Sequence, residues 1–237
     1  MTESDAEWFD KGISLSAHDC HEDAIIAFDR AIKLNPKNDE PWFEKGSSLA
    51  ALGRHEDAII AFDRTIELYP KHAIAWNKKG YSLVALGLSD DAINAFDRAI
   101  ELYPEYTFAW KNKGDLLCAL GRHENAIIAF DQVIKLDPKN AIAWFCKGNI
   151  NKLMRRDLDA LDCYNKSLEI NPSYSDAKEK KEELLLCRKP IQNRAIPTTE
   201  RSKVRRLLPL MCRQKVRRQV RNRRAGISGL SNPRYQL

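Results

Sequence analysis

One spacing governs this chain. Its five tryptophans, Trp8, Trp42, Trp76, Trp110 and Trp144, each stand 34 residues after the last. Other positions keep the same register: Gly12, Gly46, Gly80, Gly114 and Gly148; Ala24, Ala58, Ala92, Ala126 and Ala160; Phe28, Phe62, Phe96, Phe130 and Tyr164. Pro36, Pro70, Pro104, Pro138 and Pro172 close each unit. The stretch GRHEDAIIAFDRTIELYPKHAIAW, Gly53 to Trp76, therefore returns as GRHENAIIAFDQVIKLDPKNAIAW, Gly121 to Trp144. A fixed period of this length marks a repeat architecture, in which one short unit stacks on copies of itself.

Within a unit the spacing is helical. Trp76, Gly80 and Leu83 lie four and three residues apart on one face of a first helix, as Ala92, Phe96 and Ala99 do on a second. Between the two, Gly53, Gly87 or Gly121 supplies a residue that tolerates positive φ just past a helix end. The closing proline has no N–H to donate and stops the second helix. Small Gly and Ala alternate with large Trp and Phe because helices approach closely only where a small side chain meets a large one. A single pair cannot bury its apolar face alone, so units must stack into a curved solenoid.

A 34-residue period with Trp, Gly, Leu or Tyr, Ala, Phe, Ala and Pro at these offsets resembles the tetratricopeptide repeat (TPR) family from Asp5 to Pro172. The resemblance implies an all-α fold, an α-α superhelix of five units near 5–38, 39–72, 73–106, 107–140 and 141–174. Over 173–187, SYSDAKEKKEELLLC has Ala177 and Leu184 on one side and charges on the other, the pattern of a C-terminal capping helix. One departure is systematic. Where the family often has Leu before the glycine, this chain has Lys11, Lys45, Lys79, Lys113 and Lys147, read as aliphatic stems over the core edge with their charges in solvent. The fifth unit is less regular and is expected to be looser, with Asn151 in place of the Leu83 and Leu117 type and Arg155 in place of the turn glycine.

The resemblance also implies a function: partners, usually peptides or helices, bind the concave groove lined by the first helices. The family's groove-facing offsets fall on Phe9, Asp10 and Ile13; Phe43, Glu44 and Ser47; Asn77, Lys78 and Tyr81; Lys111, Asn112 and Asp115; Phe145, Cys146 and Asn149. These sets differ from unit to unit where the frame does not. Their charge is graded, acidic at Asp10, Glu40 and Glu44, basic to polar at Lys78, Lys111 and Asn112. A peptide basic at one end and acidic at the other suits that gradient, with the phenylalanines as apolar anchors. Repeats that clamp a chaperone's C-terminal carboxylate are not matched beyond Asn112: Asn77 and Tyr81 stand where Lys and Asn are wanted, and Ile142 and Cys146 where Lys and Arg are wanted.

The net charge of +6 hides two opposed parts. From Arg188 onward there are fifteen Lys or Arg against one acid, Glu200, a net of +14, which leaves −8 for the rest. The 188–237 segment has lost the repeat, and a basic tail so poor in large apolar residues is expected to be disordered and flexible. Its cationic set includes Arg205, Arg206, Arg213, Lys215, Arg217, Arg218, Arg221, Arg223 and Arg224. Nucleic acid, an anionic membrane surface or the acidic solenoid would each attract it. Its one aromatic residue, Tyr235, makes nucleic-acid binding electrostatic and sequence-tolerant. Folding back onto Asp10 and Glu44 is a further expectation.

Six widely spaced cysteines without a C-x-x-C pair read as reduced thiols, and the polar start MTESDAEWFDKG does not resemble a signal peptide. With no apolar run near 18 residues, there is no transmembrane segment and the expected location is cytoplasmic. Chemistry is sparse. His18, Asp19, Cys20 and His21 lack two further ligands at zinc-like spacing, and His21, His55 and His123 share one repeat offset, a structural slot. H-E-D-A and H-E-N-A begin like a zinc-protease motif, but Ile59 and Ile127 stand where the second His belongs. No phosphate loop or nucleophile elbow is present. The reading is a non-catalytic protein-interaction adaptor without cofactor or metal; the alternative is a nucleic-acid-associated protein whose tail binds phosphates while the solenoid recruits a protein.

Overall fold

The computed structural model describes residues 4–188, with side chains to residue 186. Eleven α-helices and no strands occur among them. They are α1 (Asp5–Ala17), α2 (His21–Leu34), α3 (Glu40–Ala51), α4 (His55–Leu68), α5 (Ala73–Ala85), α6 (Ser89–Leu102), α7 (Thr107–Ala119), α8 (His123–Leu136), α9 (Ala141–Leu153), α10 (Asp157–Ile170) and α11 (Ser175–Arg188). Each odd helix up to α9 pairs with the even helix after it, and each even helix up to α8 packs on the next odd one. Five hairpins thus stack in chain order, as the 34-residue period requires. Sequence readings made for the basic tail, Arg205 to Arg224 included, lie outside the described residues.

The starts and stops have local causes. Ser4 Oγ accepts from Glu7 N–H at 3.2 Å while Ser4 N–H donates to Glu7 Oε2 at 2.7 Å, a capping box that opens α1. Asn140 does half of this for α9, its Oδ1 accepting from Ala143 N–H at 3.0 Å. At the hairpin turns Gly53, Gly87 and Gly121 adopt φ of 75°, 77° and 74°. Gly53 N–H reaches Ala50 O and Arg54 N–H reaches Leu49 O, which satisfies the last carbonyls of α3. In the first and fifth hairpins the same left-handed turn falls on Asp19 and Arg155, at φ 58° and 63°.

Phe28, Phe62, Phe96, Phe130 and Tyr164 are all but fully buried, each against the glycine of its own first helix. A methyl group on Gly80 would stand 2.6 Å from Phe96 Cε1, so only hydrogen fits there. Between hairpins Ile25 packs with Leu49, Ile59 with Leu83 and Ile93 with Leu117. Here the lysine row departs from expectation. Lys45 Nζ lies 2.5 Å from Asp29 Oδ1 and Lys79 Nζ 2.5 Å from Asp63 Oδ1, while Lys113 and Lys147 pair with Asp97 and Asp131 in the same way. The charges are spent on the preceding unit rather than left to solvent, because stacking brings each ammonium over a carboxylate on the neighbouring second helix.

The fifth hairpin, expected to be loose, is closely packed by a compensating pair. Asn151 is 4% exposed, and its Nδ2 donates to Cys163 Sγ at 3.8 Å. Cys163 occupies the offset of Ala61, Ala95 and Ala129, so a polar pair replaces a Leu and Ala pair. Beyond it α11 buries Ala177 and Leu184, the latter in one cluster with Ala160 and Tyr164.

Candidate functional site

Successive odd helices from α1 to α7 approach one another, whereas the even helices stand further apart, so the odd helices line the inner curve of the stack. The offsets singled out in the sequence recur on these helices as three rows, and the rows differ in how free they are.

The row directly after the tryptophans is largely engaged. Phe9 and Phe43 lie against Phe28 and Phe62 with ring centroids 6.0 Å apart, and Phe43 also stacks on His72 at 4.8 Å. Phe145 packs on Tyr164 at 6.0 Å and Tyr174 at 5.0 Å. Asn77, expected to face a ligand, is 5% exposed. Its Nδ2 donates to the Tyr106 hydroxyl at 3.4 Å, and its Oδ1 accepts from Asn112 Nδ2 at 3.0 Å. Phe43 with His72, Asn77 with Tyr106 and Phe145 with Tyr174 are each 29 residues apart. Variation in this row therefore tracks variation in the residue just before the next first helix. His72 and Tyr106 were missed in the sequence; paired variation at that separation was the signal that marks them.

The second row is Asp10, Glu44, Lys78, Asn112 and Cys146. Asp10 and Lys78 are exposed, the other three half-buried. Burial raises the Glu44 carboxyl above its ordinary value, with Lys78 opposing the shift and Glu40 adding to it. The Cys146 thiol is pushed up to about 12, chiefly by burial, with Asp115 adding and Lys111 opposing. Burial likewise raises Cys118, helped by Asp115. Both stay protonated near neutral pH, which makes them poor nucleophiles.

In the third row Ile13 is 38% exposed and Tyr81 56%, and Asp115 is exposed. Ser47 is half-buried. Asn149 Oδ1 accepts from the Tyr164 hydroxyl at 2.9 Å. Lys111 Nζ donates to Asp115 Oδ2 at 2.8 Å, one turn along the same helix. The basic half of the expected gradient is thus partly neutralised from within, while in the acidic half Glu44 interacts with both Lys78 and Glu40.

What is accessible among these offsets is a patchwork of Asp10, Ile13, Lys78, Tyr81 and Asp115. It can hold a ligand by charge and apolar contact. Of the residues that suggested metal chemistry, His18 Nδ1 donates to Ser14 O at 2.7 Å and His21 Nε2 lies 3.8 Å from Asp19. Among the described residues no three His, Cys, Asp or Glu converge as metal ligands, and no helix is long and apolar enough to cross a membrane.

No curated protein matches the chain. Among solved structures it is similar to MamA, at 25% identity and a TM-score of 0.64 over 73% of this chain and 96% of that one. A MamA structure from Desulfovibrio magneticus RS-1 gives 20% identity and a TM-score of 0.67 over 74% and 99%. YrrB, described as a TPR protein with an unusual peptide-binding site, gives 22% and 0.63 over 74% and 91%. The model of the tetratricopeptide repeat matches residues 9–73 and 77–141, more than half of the sequence. With five stacked hairpins of constant period and a Gly-to-Phe contact in four of them, the chain belongs to the tetratricopeptide repeat family, generally a non-catalytic module for protein interaction.

Proposed function

We propose that this protein is a non-catalytic adaptor that holds a peptide or helix of a protein partner along the inner face of its odd helices. One observation carries the reading: chemically different side chains are exposed at offsets whose neighbours in the frame are near copies. The neighbour YrrB, described as peptide-binding, supports it by likeness of fold. The partner has a basic residue toward α1 and α3, which carry Asp10 and, beside one another, Glu40 and the half-buried Glu44. It has an acidic residue near Lys78 and an apolar side chain against Tyr81.

The test compares proteins captured by the full chain with those captured by the Asp10→Lys/Tyr81→Asp variant and by a version ending at Cys187. Ligands of the inner face disappear with the double substitution and survive removal of the tail. Capture that is unchanged by the double substitution sinks the reading.

A further inference from the structure

The seams between hairpins repeat one recognition event. In each, an even helix presents an isoleucine and, four residues later, an aspartate: Ile25 and Asp29, Ile59 and Asp63, Ile93 and Asp97, Ile127 and Asp131. The next odd helix receives the aspartate with a lysine that also lies over its own tryptophan, at 5.5 Å for Lys45 over Trp42 and 5.4 Å for Lys79 over Trp76. In the first three seams a leucine beside them, Leu49, Leu83 or Leu117, packs with the isoleucine and is 2%, 6% or 3% exposed.

The first odd helix carries the same receiving set, Trp8, Lys11 and Leu15, with no even helix before it among the described residues. Lys11 Nζ already sits 4.6 Å over the Trp8 ring. Yet Lys11 is exposed where Lys45, Lys79, Lys113 and Lys147 are 21–22% exposed, and it meets no carboxylate among the described residues. Leu15 is half-buried rather than buried. At the opposite end of the stack the donor side changes: Asn165 stands at the aspartate offset, and α11 follows α10 and joins its core. A second copy stacked head to tail therefore offers Lys11 no aspartate at the offset that the interior seams use.

We infer that the outer face of α1 docks an amphipathic helix of a partner protein that presents an aliphatic residue and, four positions on, a carboxylate. The argument is continuity with the four interior seams plus the complementary charge that Lys11 lacks. The inner-face adaptor reading is separate from it, since the two surfaces share no residues.

The probe is a helical peptide of the α4 sequence, residues 55–68, stapled through positions 58 and 62 so that its own-hairpin apolar face is removed while Ile59 and Asp63 are kept. Calorimetry against the full chain is expected to show binding that weakens about fivefold or more in Lys11→Glu, the size of one partly exposed ion pair. An Asp63→Lys peptide should recover that loss on the Lys11→Glu protein and bind poorly to the unaltered one. Because Lys11 is exposed, the variant should keep its helical circular dichroism, so lost binding is not lost folding. Absence of binding at millimolar peptide, or equal affinity for both proteins, overturns the inference. So does self-association of the full chain in sedimentation that Lys11→Glu abolishes, since a second copy would then occupy the face.

Discussion

Lys79 Nζ lies 2.5 Å from Asp63 Oδ1 in the preceding hairpin, while the same ammonium sits 5.4 Å from the centre of its own Trp76 ring. One side chain thus ties a second helix to the first helix of the next unit. With side chains 21% and 42% exposed, the pair is screened but not bathed in water. A double-mutant cycle of Lys79→Met and Asp63→Asn in urea unfolding should give a coupling of about 0.5–1 kcal/mol. It should shrink as salt rises toward molar concentrations.

The contact between Gly80 and Phe96 predicts a second coupling of the same sign, this time from relief of a clash. Gly80→Ala forces a methyl group to within 2.6 Å of the ring and should cost about 1–3 kcal/mol. Phe96→Ala empties the centre of the hairpin and should cost about 3–5 kcal/mol. Combining Gly80→Ala with Phe96→Leu should cost less than the sum of the single changes, because the smaller side chain gives the methyl room. Additive costs in chemical denaturation would place the helix pair in another register.

Arg155 holds a left-handed turn, φ 63°, that Gly53, Gly87 and Gly121 hold elsewhere. A Cβ in that region is strained, so Arg155→Gly should stabilise by about 0.5–1 kcal/mol after the extra freedom of unfolded glycine is set against it. The transition midpoint in thermal unfolding should rise. A fall would mean that the Arg155 side chain contributes contacts worth more than the strain.

His72 makes stability depend on pH. Its Nδ1 accepts from Ala75 N–H at 3.1 Å to cap α5, and burial lowers its pKa below the ordinary value, with Asp39 and a backbone hydrogen bond opposing. The folded state then binds fewer protons than the unfolded one, so the histidine's stabilisation is present above the ordinary pKa of 6.5 and is lost as pH falls from there through the lower folded value. His72→Asn copies Asn140, which caps α9 without titrating. Melting curves should show the natural protein losing more stability than this variant between pH 7.5 and 5.5, and parallel losses would discount the histidine.

The helices, their order and their partners along the stack were legible in the residues alone. Each core position appears five times, and a side chain that recurs at Trp8, Trp42, Trp76, Trp110 and Trp144 is fixed by the one environment all copies share. Local rules did the rest: positive-φ glycines at the turns, a proline after each pair, Gly opposite Phe. The inner-face rows were legible only as positions. Asn77 read as free because nothing in the chain within a helical turn of it announces Tyr106 or Asn112 as partners.

Periodicity along the chain, then, dictated that hairpins form and pile up, since burial of repeated apolar faces admits one solution. The angle and offset at which each hairpin meets the next were settled only in three dimensions. Those quantities put Asp63 over Lys79 and closed Asn77 behind Tyr106, and the lack of a preceding helix left Lys11 without a carboxylate among the described residues. Polar pairing depends on distances of a few ångströms between separate helices, and no pattern within one helix encodes them.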